Sequence, residues 1–148
     1  MTFCKNRLQS NYLLGNLNCE LKGGNLKLSY APGKLEAQCT NIKEAKRLFG
    51  GNKQLAVSLL ARINALQEAP TLKDIIVQPQ FHFHNLENKN RRNLKGYYAI
   101  DVKTRRDPWR IILQPLDSDQ NPYEDVSIDT IAGIVTIVRI EEVSQHYE

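Results

Sequence analysis

Leu26, Leu28 and Tyr30 alternate with Lys27 and Ser29, the period of a strand with one buried face. Pro32-Gly33 interrupts that pattern. From Lys34 to Phe49 the spacing changes: Leu35, Ile42, Ala45 and Phe49 mark one helical face, with Glu36, Lys43 and Lys46 mostly off it. Gly50-Gly51 is a helix stop, and Asn52 is placed to cap a second helix over Lys53 to Glu68. The stripe of that helix is Leu55, Leu59, Ile63 and Leu66, widened by Val57 and Leu60. A short glycine link between two helices predicts an antiparallel helical hairpin. Pro70 ends the second helix, and Thr71 to Asp74 has the form of a capping box that opens a short helical turn. Strand patterns follow at Phe81 to Leu86, at Gly96 to Val102, and at Trp109 to Leu113 after the Asp107-Pro108 turn. Ile134 to Ile140 is a dense β-branched run, expected to form a central strand buried on both faces. The order predicts an α+β domain: an N-terminal strand and a helical hairpin packed on a mostly antiparallel sheet of four or five strands.

Upstream, Leu17 to Leu21 and Leu26 to Tyr30 flank Gly23-Gly24-Asn25, which reads as a hairpin. Residues 1–25 are otherwise weakly patterned and read as an extension, leaving 26–148 as one domain. The 148 residues are 41% hydrophobic and 24% charged, an ordinary globular mix. No apolar run approaches the roughly 18 residues of a membrane span, and Met1 to Ser10 lacks a signal-peptide core, so the expected compartment is the cytoplasm. Cys4, Cys19 and Cys39 are odd in number and widely spaced, which argues against a disulfide framework or a structural zinc site. The net charge of +4 is unevenly spread. Phe81 to Pro115 holds eight Lys/Arg against three acids, whereas Leu116 to Glu148 holds eight acids and only Arg139 as a base. A basic block beside an acidic one suggests a phosphate-binding face; the plain alternative is a solvated surface.

The candidate chemistry falls in four places. Phe81-His82-Phe83-His84-Asn85-Leu86 would put His82 and His84 on one face of a strand. Such a pair suits metal binding, general acid/base work or a mere sheet edge, and no Cys or acid at ligand spacing favours the first. Arg91, Arg92 and Lys95 precede Tyr97-Tyr98, and basic residues interleaved with aromatics suit single-stranded nucleic acid. Only one of the two tyrosines should be core, since neighbours in a strand face opposite ways. Arg105 and Arg106 lead into Trp109-Arg110, where an arginine inside an apolar strand needs either an acidic partner or a ligand. Finally, His146 and Tyr147 follow the expected central strand directly.

Taken together and in this order, His84-Asn85-Leu86, Arg92 with Lys95-Gly96-Tyr97-Tyr98, Trp109-Arg110-Ile111, and Val135 through Tyr147 resemble the RelE superfamily, most closely its HigB-like plasmid maintenance killer toxins. The resemblance runs from about Leu26 to the end of the sequence. It implies a RelE-like fold and the toxin of a type II toxin–antitoxin system, a ribosome-dependent mRNA endoribonuclease that works without metal or cofactor. It further implies His84 and His146 as proton-transfer groups, Arg92 and Arg110 on the phosphate, and Tyr147 orienting or stacking on a base. Arg91, Lys95, Tyr98, Arg105 and Arg106 would bind RNA, and His82 would be secondary. The implied partners are the ribosome with its mRNA and a HigA-like helix-turn-helix antitoxin, through which alone operator DNA would be bound. Members of the family often end on an aromatic residue followed by His, whereas here the order is His146-Tyr147; the Asn88 to Asn93 stretch is also longer than usual. The other expectations to weigh are a toxin-fold protein with a non-ribosomal, gyrase-type target, and a non-catalytic RNA- or protein-binding module.

Overall fold

The computed structural model describes residues 25–86 and 94–145. Strand β1 (Lys27–Tyr30) leads into two short helices, α1 (Leu35–Thr40) and α2 (Ile42–Leu48), where the periodicity predicts one. Asn41 makes the break. Its backbone is extended (φ −124°, ψ 123°), and its side-chain oxygen accepts from the backbone N–H of Lys43 (2.9 Å) and Glu44 (3.4 Å). Asn thus competes with the helix for its own backbone and wins, restarting the helix with a cap. Thr40 assists by donating its hydroxyl back to the Glu36 carbonyl at 2.7 Å. Gly50 and Gly51 both take positive φ (64° and 93°), and the Gly51 N–H closes on the Lys46 carbonyl at 2.7 Å, which turns the chain without a side-chain clash.

Helix α3 (Lys53–Glu68) has the predicted bounds, but of its expected stripe Leu55 and Leu60 are only part-buried and Val57 is exposed. The Asn52 side chain accepts the Leu55 N–H at 3.1 Å, and Ala56, Leu59, Ile63 and Leu66 are buried. Replacing Asn52 with Ala is expected to cost about 1 kcal/mol, whereas Asp at this position should be nearly neutral. Urea denaturation of the two variants checks this, and an Ala variant as stable as the parent removes the cap from the account. Beyond Pro70, Asp74 accepts both the N–H and the hydroxyl of Thr71 at 3.0 Å, opening the short helix α4 (Lys73–Ile76).

The sheet has five strands in the order β1-β5-β4-β3-β2, with β2 His84–Asn85, β3 Tyr98–Asp101, β4 Arg110–Leu116 and β5 Ile137–Ser144. β2, β3, β4 and β5 pair antiparallel in succession, and β1 pairs parallel with β5. The α+β class, with a helical hairpin and a mostly antiparallel sheet, is therefore present. The acidic stretch before β5 is not all loop: it carries a short helix, α5 (Ile128–Ile131). β5 also starts later than its β-branched run suggests. Ile134 is exposed before it, and burial within the strand alternates, so it is buried on one face rather than two. The middle strand is β4. Between β4 and β5 the register shifts: Ile112 faces Glu142 and Leu113 faces Ile140, which leaves Glu141 as a bulge residue.

One sheet face is the main core. Ile100, Ile111, Leu113, Val138 and Ile140 pack there against buried residues from each of the five helices. Among the described residues, the opposite face carries a small apolar cluster, Leu86, Ala99 and Ile112, to which no described helix contributes. Within the core, burial pushes the Cys39 thiol from 9.0 up to about 12 and, together with nearby Cys39 and Glu36, the Tyr30 phenol from 10.0 to about 12. The folded state then keeps protons that the unfolded chain gives up. Stability is full below pH 9.0 and falls as pH rises towards 12. For Cys39 the slope is about 1.4 kcal/mol per pH unit; Tyr30 adds a smaller, solvent-screened share. Urea midpoints should drop across this range and Cys39→Ala should flatten the drop; midpoints independent of pH would contradict the assignment.

Candidate active site

The chemistry gathers on the sheet face to whose apolar cluster no helix among the described residues contributes. Pro79–Phe81 forms a single 3-10 turn, and the next residue, His82, sits in the left-handed region at φ 50°, ψ 50°. The expected strand from Phe81 is therefore shortened to His84–Asn85, and the two histidines do not meet as alternate residues of one strand. The left-handed turn brings them together instead, with ring centroids 4.5 Å apart and planes inclined by 30°. A non-glycine residue in this conformation stores about 1–3 kcal/mol of backbone strain, which the surrounding contacts must offset.

Those contacts are specific. His82 Nδ1 lies 3.1 Å from Asp101 Oδ1, and His84 Nδ1 lies 2.8 Å from the His82 carbonyl. A carboxylate and a carbonyl can only accept, so both rings carry their proton on Nδ1 and use Nε2 as the second nitrogen. Asp101 is buried at the end of β3, and the same oxygen takes Arg110 Nε at 3.2 Å. Arg110 Nη1 donates to the carbonyls of Asp107 (2.5 Å) and Trp109 (2.8 Å), and Nη2 donates to that of Arg105 (3.2 Å). Arg62, from α3, braces the arrangement from behind. Its Nε donates to the Asp101 carbonyl (3.1 Å) and its Nη2 to the carbonyls of Gln80 (3.1 Å) and Lys103 (3.0 Å), while the guanidinium sits 4.8 Å from the Phe81 ring centre. Burial lowers the proton affinity of Arg62, and the nearby Asp101 charge opposes that change.

These positions redistribute the expected roles. Arg110, expected on the phosphate, is only 2% exposed and spends its guanidinium on Asp101 and three backbone carbonyls, so it builds the site from below. The cations exposed beside it are Arg105 and Arg106, in the turn whose Arg105 carbonyl Arg110 holds. Tyr98 is buried, its ring stacked on Phe83 at 5.1 Å, while Tyr97 is the partly exposed one of the pair. Strand alternation places Tyr98 and Asn85 on the face opposite His84 and Ala99. There, Lys95, Asn85 and Tyr98 line a groove of about 690 Å³ with Tyr123 and Asp125. Lys95 Nζ is 2.5 Å from the exposed Asp125 carboxylate, whose pKa it lowers by hydrogen bond and charge. Lys95 and Tyr98 thus belong to a second locus across the sheet from the histidines. Arg91, Arg92, His146 and Tyr147 lie outside the described residues.

Asp101 and Arg62 carry no motif that marks them. A signal for Asp101 does exist: it stands among Ala99, Ile100 and Val102, where an acid must be paired to be buried. Among the described residues, no group of three or more His, Cys, Asp and Glu is arranged to hold a metal ion, and no helix is long and apolar enough to cross a membrane. Compared with known proteins, the chain matches no family model, no curated protein and no solved structure.

Proposed function

We propose that this protein is the toxin of a type II toxin–antitoxin pair, a RelE/HigB-like, metal-independent endoribonuclease that cuts mRNA on the ribosome and so stops translation in the cytoplasm. The observation that supports the reading is the meeting of His82, His84 and Asp101, with Asp101 held by Arg110, whose guanidinium also holds the backbone of the turn that carries the exposed Arg105 and Arg106. Cleavage of RNA through its own 2′-hydroxyl needs a base, an acid and cationic support for the phosphorane-like transition state. His84, with its proton fixed on Nδ1 by the His82 carbonyl, has Nε2 as the basic nitrogen. Arg105 and Arg106, both exposed, supply positive charge to the phosphates. The resemblance adds His146 as a second proton-transfer group, with Arg92 and Tyr147 on the substrate. The same resemblance gives the partner: a HigA-like helix-turn-helix antitoxin that neutralises the toxin and carries the operator binding.

The test is expression of the chain alone in bacterial cells, with 5′-end mapping of mRNA, followed by the purified protein on ribosomes programmed with a defined message. The expected result is growth arrest with cuts confined to ribosome-bound message. A DNA-damage response with intact mRNA would move the target to gyrase, and RNA binding without cleavage would leave a binding module.

A further inference from the structure

We propose that His82 is the general acid of this site and that Asp101 is its positioning residue. The inference rests on the nuclease reading and makes His82, only secondary in the resemblance, the proton donor. Asp101 Oδ1 holds His82 Nδ1 at 3.1 Å, which commits the opposite nitrogen, Nε2, to the substrate side of the ring's proton traffic. The His82 side chain is 27% exposed and Asp101 2%, the disposition of a ring that can reach a ligand and an anchor that cannot. Arg110 already offsets the Asp101 charge from 3.2 Å. What Asp101 gives His82 is therefore orientation more than field. Two further restraints act on the same residue. Arg62 ties the Gln80 carbonyl to the end of β3, and the left-handed backbone of His82 turns its ring onto His84. The 4.5 Å ring spacing brings two imidazoles within reach of one phosphodiester.

The reaction balances with these two rings alone. The cycle requires a neutral His84 and a protonated His82 at its start. His84 Nε2 takes the proton of the 2′-hydroxyl as that oxygen forms a bond to phosphorus. The bond from phosphorus to the 5′-oxygen breaks, its electron pair goes to that oxygen, and His82 Nε2 delivers the proton that makes it a 5′-hydroxyl. The products are a 2′,3′-cyclic phosphate and a 5′-hydroxyl end; His84 is left protonated and His82 neutral, and exchange with water restores both.

The deciding experiment compares the full chain with its His82→Asn and Asp101→Asn variants on ribosome-bound mRNA. The messages carry either an ordinary linkage or a 5′-bridging sulfur at the cleaved phosphate. Asn tolerates the left-handed backbone, so His82→Asn should keep the fold, checked by its melting curve. A sulfur leaving group needs no proton. The expected result is a loss of about 10²-fold or more for His82→Asn on the oxygen substrate, and recovery to near the parent rate on the sulfur substrate. Asp101→Asn should show a smaller loss with the same recovery, and His84→Gln should be slow on both. Loss without sulfur rescue, or full activity of His82→Asn on the oxygen substrate, overturns the acid assignment while leaving the nuclease reading in place. A parent chain that cuts neither message overturns both.

Discussion

Replacing Arg110 with alanine is expected to destabilise the domain by about 3–5 kcal/mol, the usual cost of stripping one partner from a buried ion pair. The substitution abandons the Asp101 carboxylate in a buried position and removes the donor from the carbonyls of Arg105, Asp107 and Trp109. The penalty comes from the groups left behind more than from the lost attraction. Arg110→Met combined with Asp101→Leu should therefore recover much of the stability, because neither charge is then stranded. Urea denaturation of the parent, the single and the double variant measures this. A single variant within about 1 kcal/mol of the parent would mean that the pair is well solvated and contributes little. The double variant also separates two roles: it should fold, yet leave His82 without its anchor.

The second large effect is catalytic. His84→Gln is expected to reduce cleavage of ribosome-bound mRNA by about 10²–10⁴-fold, the range associated with a positioned proton-transfer group. Glutamine can still donate to the His82 carbonyl, so the melting temperature should stay close to that of the parent. Such a variant should also be tolerated by cells that the parent arrests. Unchanged cleavage would remove His84 from the chemistry, whatever the geometry around it.

Local features that depend on neighbours in sequence are legible before any coordinates. Asn52 caps α3, Gly50-Gly51 makes the turn before it, and Thr71 bonds to Asp74 at the opening of α4. The break at Asn41 is harder to see, because an asparagine between two helical runs can sit quietly on a solvated face. Only its extended backbone reveals the cap. His82 and His84 do sit together as their spacing suggests, but for a different reason, since strand alternation is replaced by a left-handed residue that no simple periodicity signals. For Arg110, the sequence left an acidic partner and a phosphate as rival explanations of one buried arginine. Asp101 is directly opposite it in the β3–β4 register, a fact that belongs to pairing rather than to composition. The two tyrosines show the same limit: alternation says that one is buried, and only the helix side of the sheet decides that it is Tyr98.

The parallel pairing of β1 with β5 has a consequence for how the protein comes into being. Lys27 pairs with Ile137, and Tyr30 with Ile140. During synthesis the edge of β1 that pairs with β5 must wait until more than a hundred further residues have been translated. Contacts so distant in sequence slow folding. They also imply that truncated translation products lacking β5 leave β1 and one side of β4 bare, species suited to aggregation or proteolysis rather than to partial activity. A fold that closes only when β5 is in place carries its own safeguard against incomplete copies.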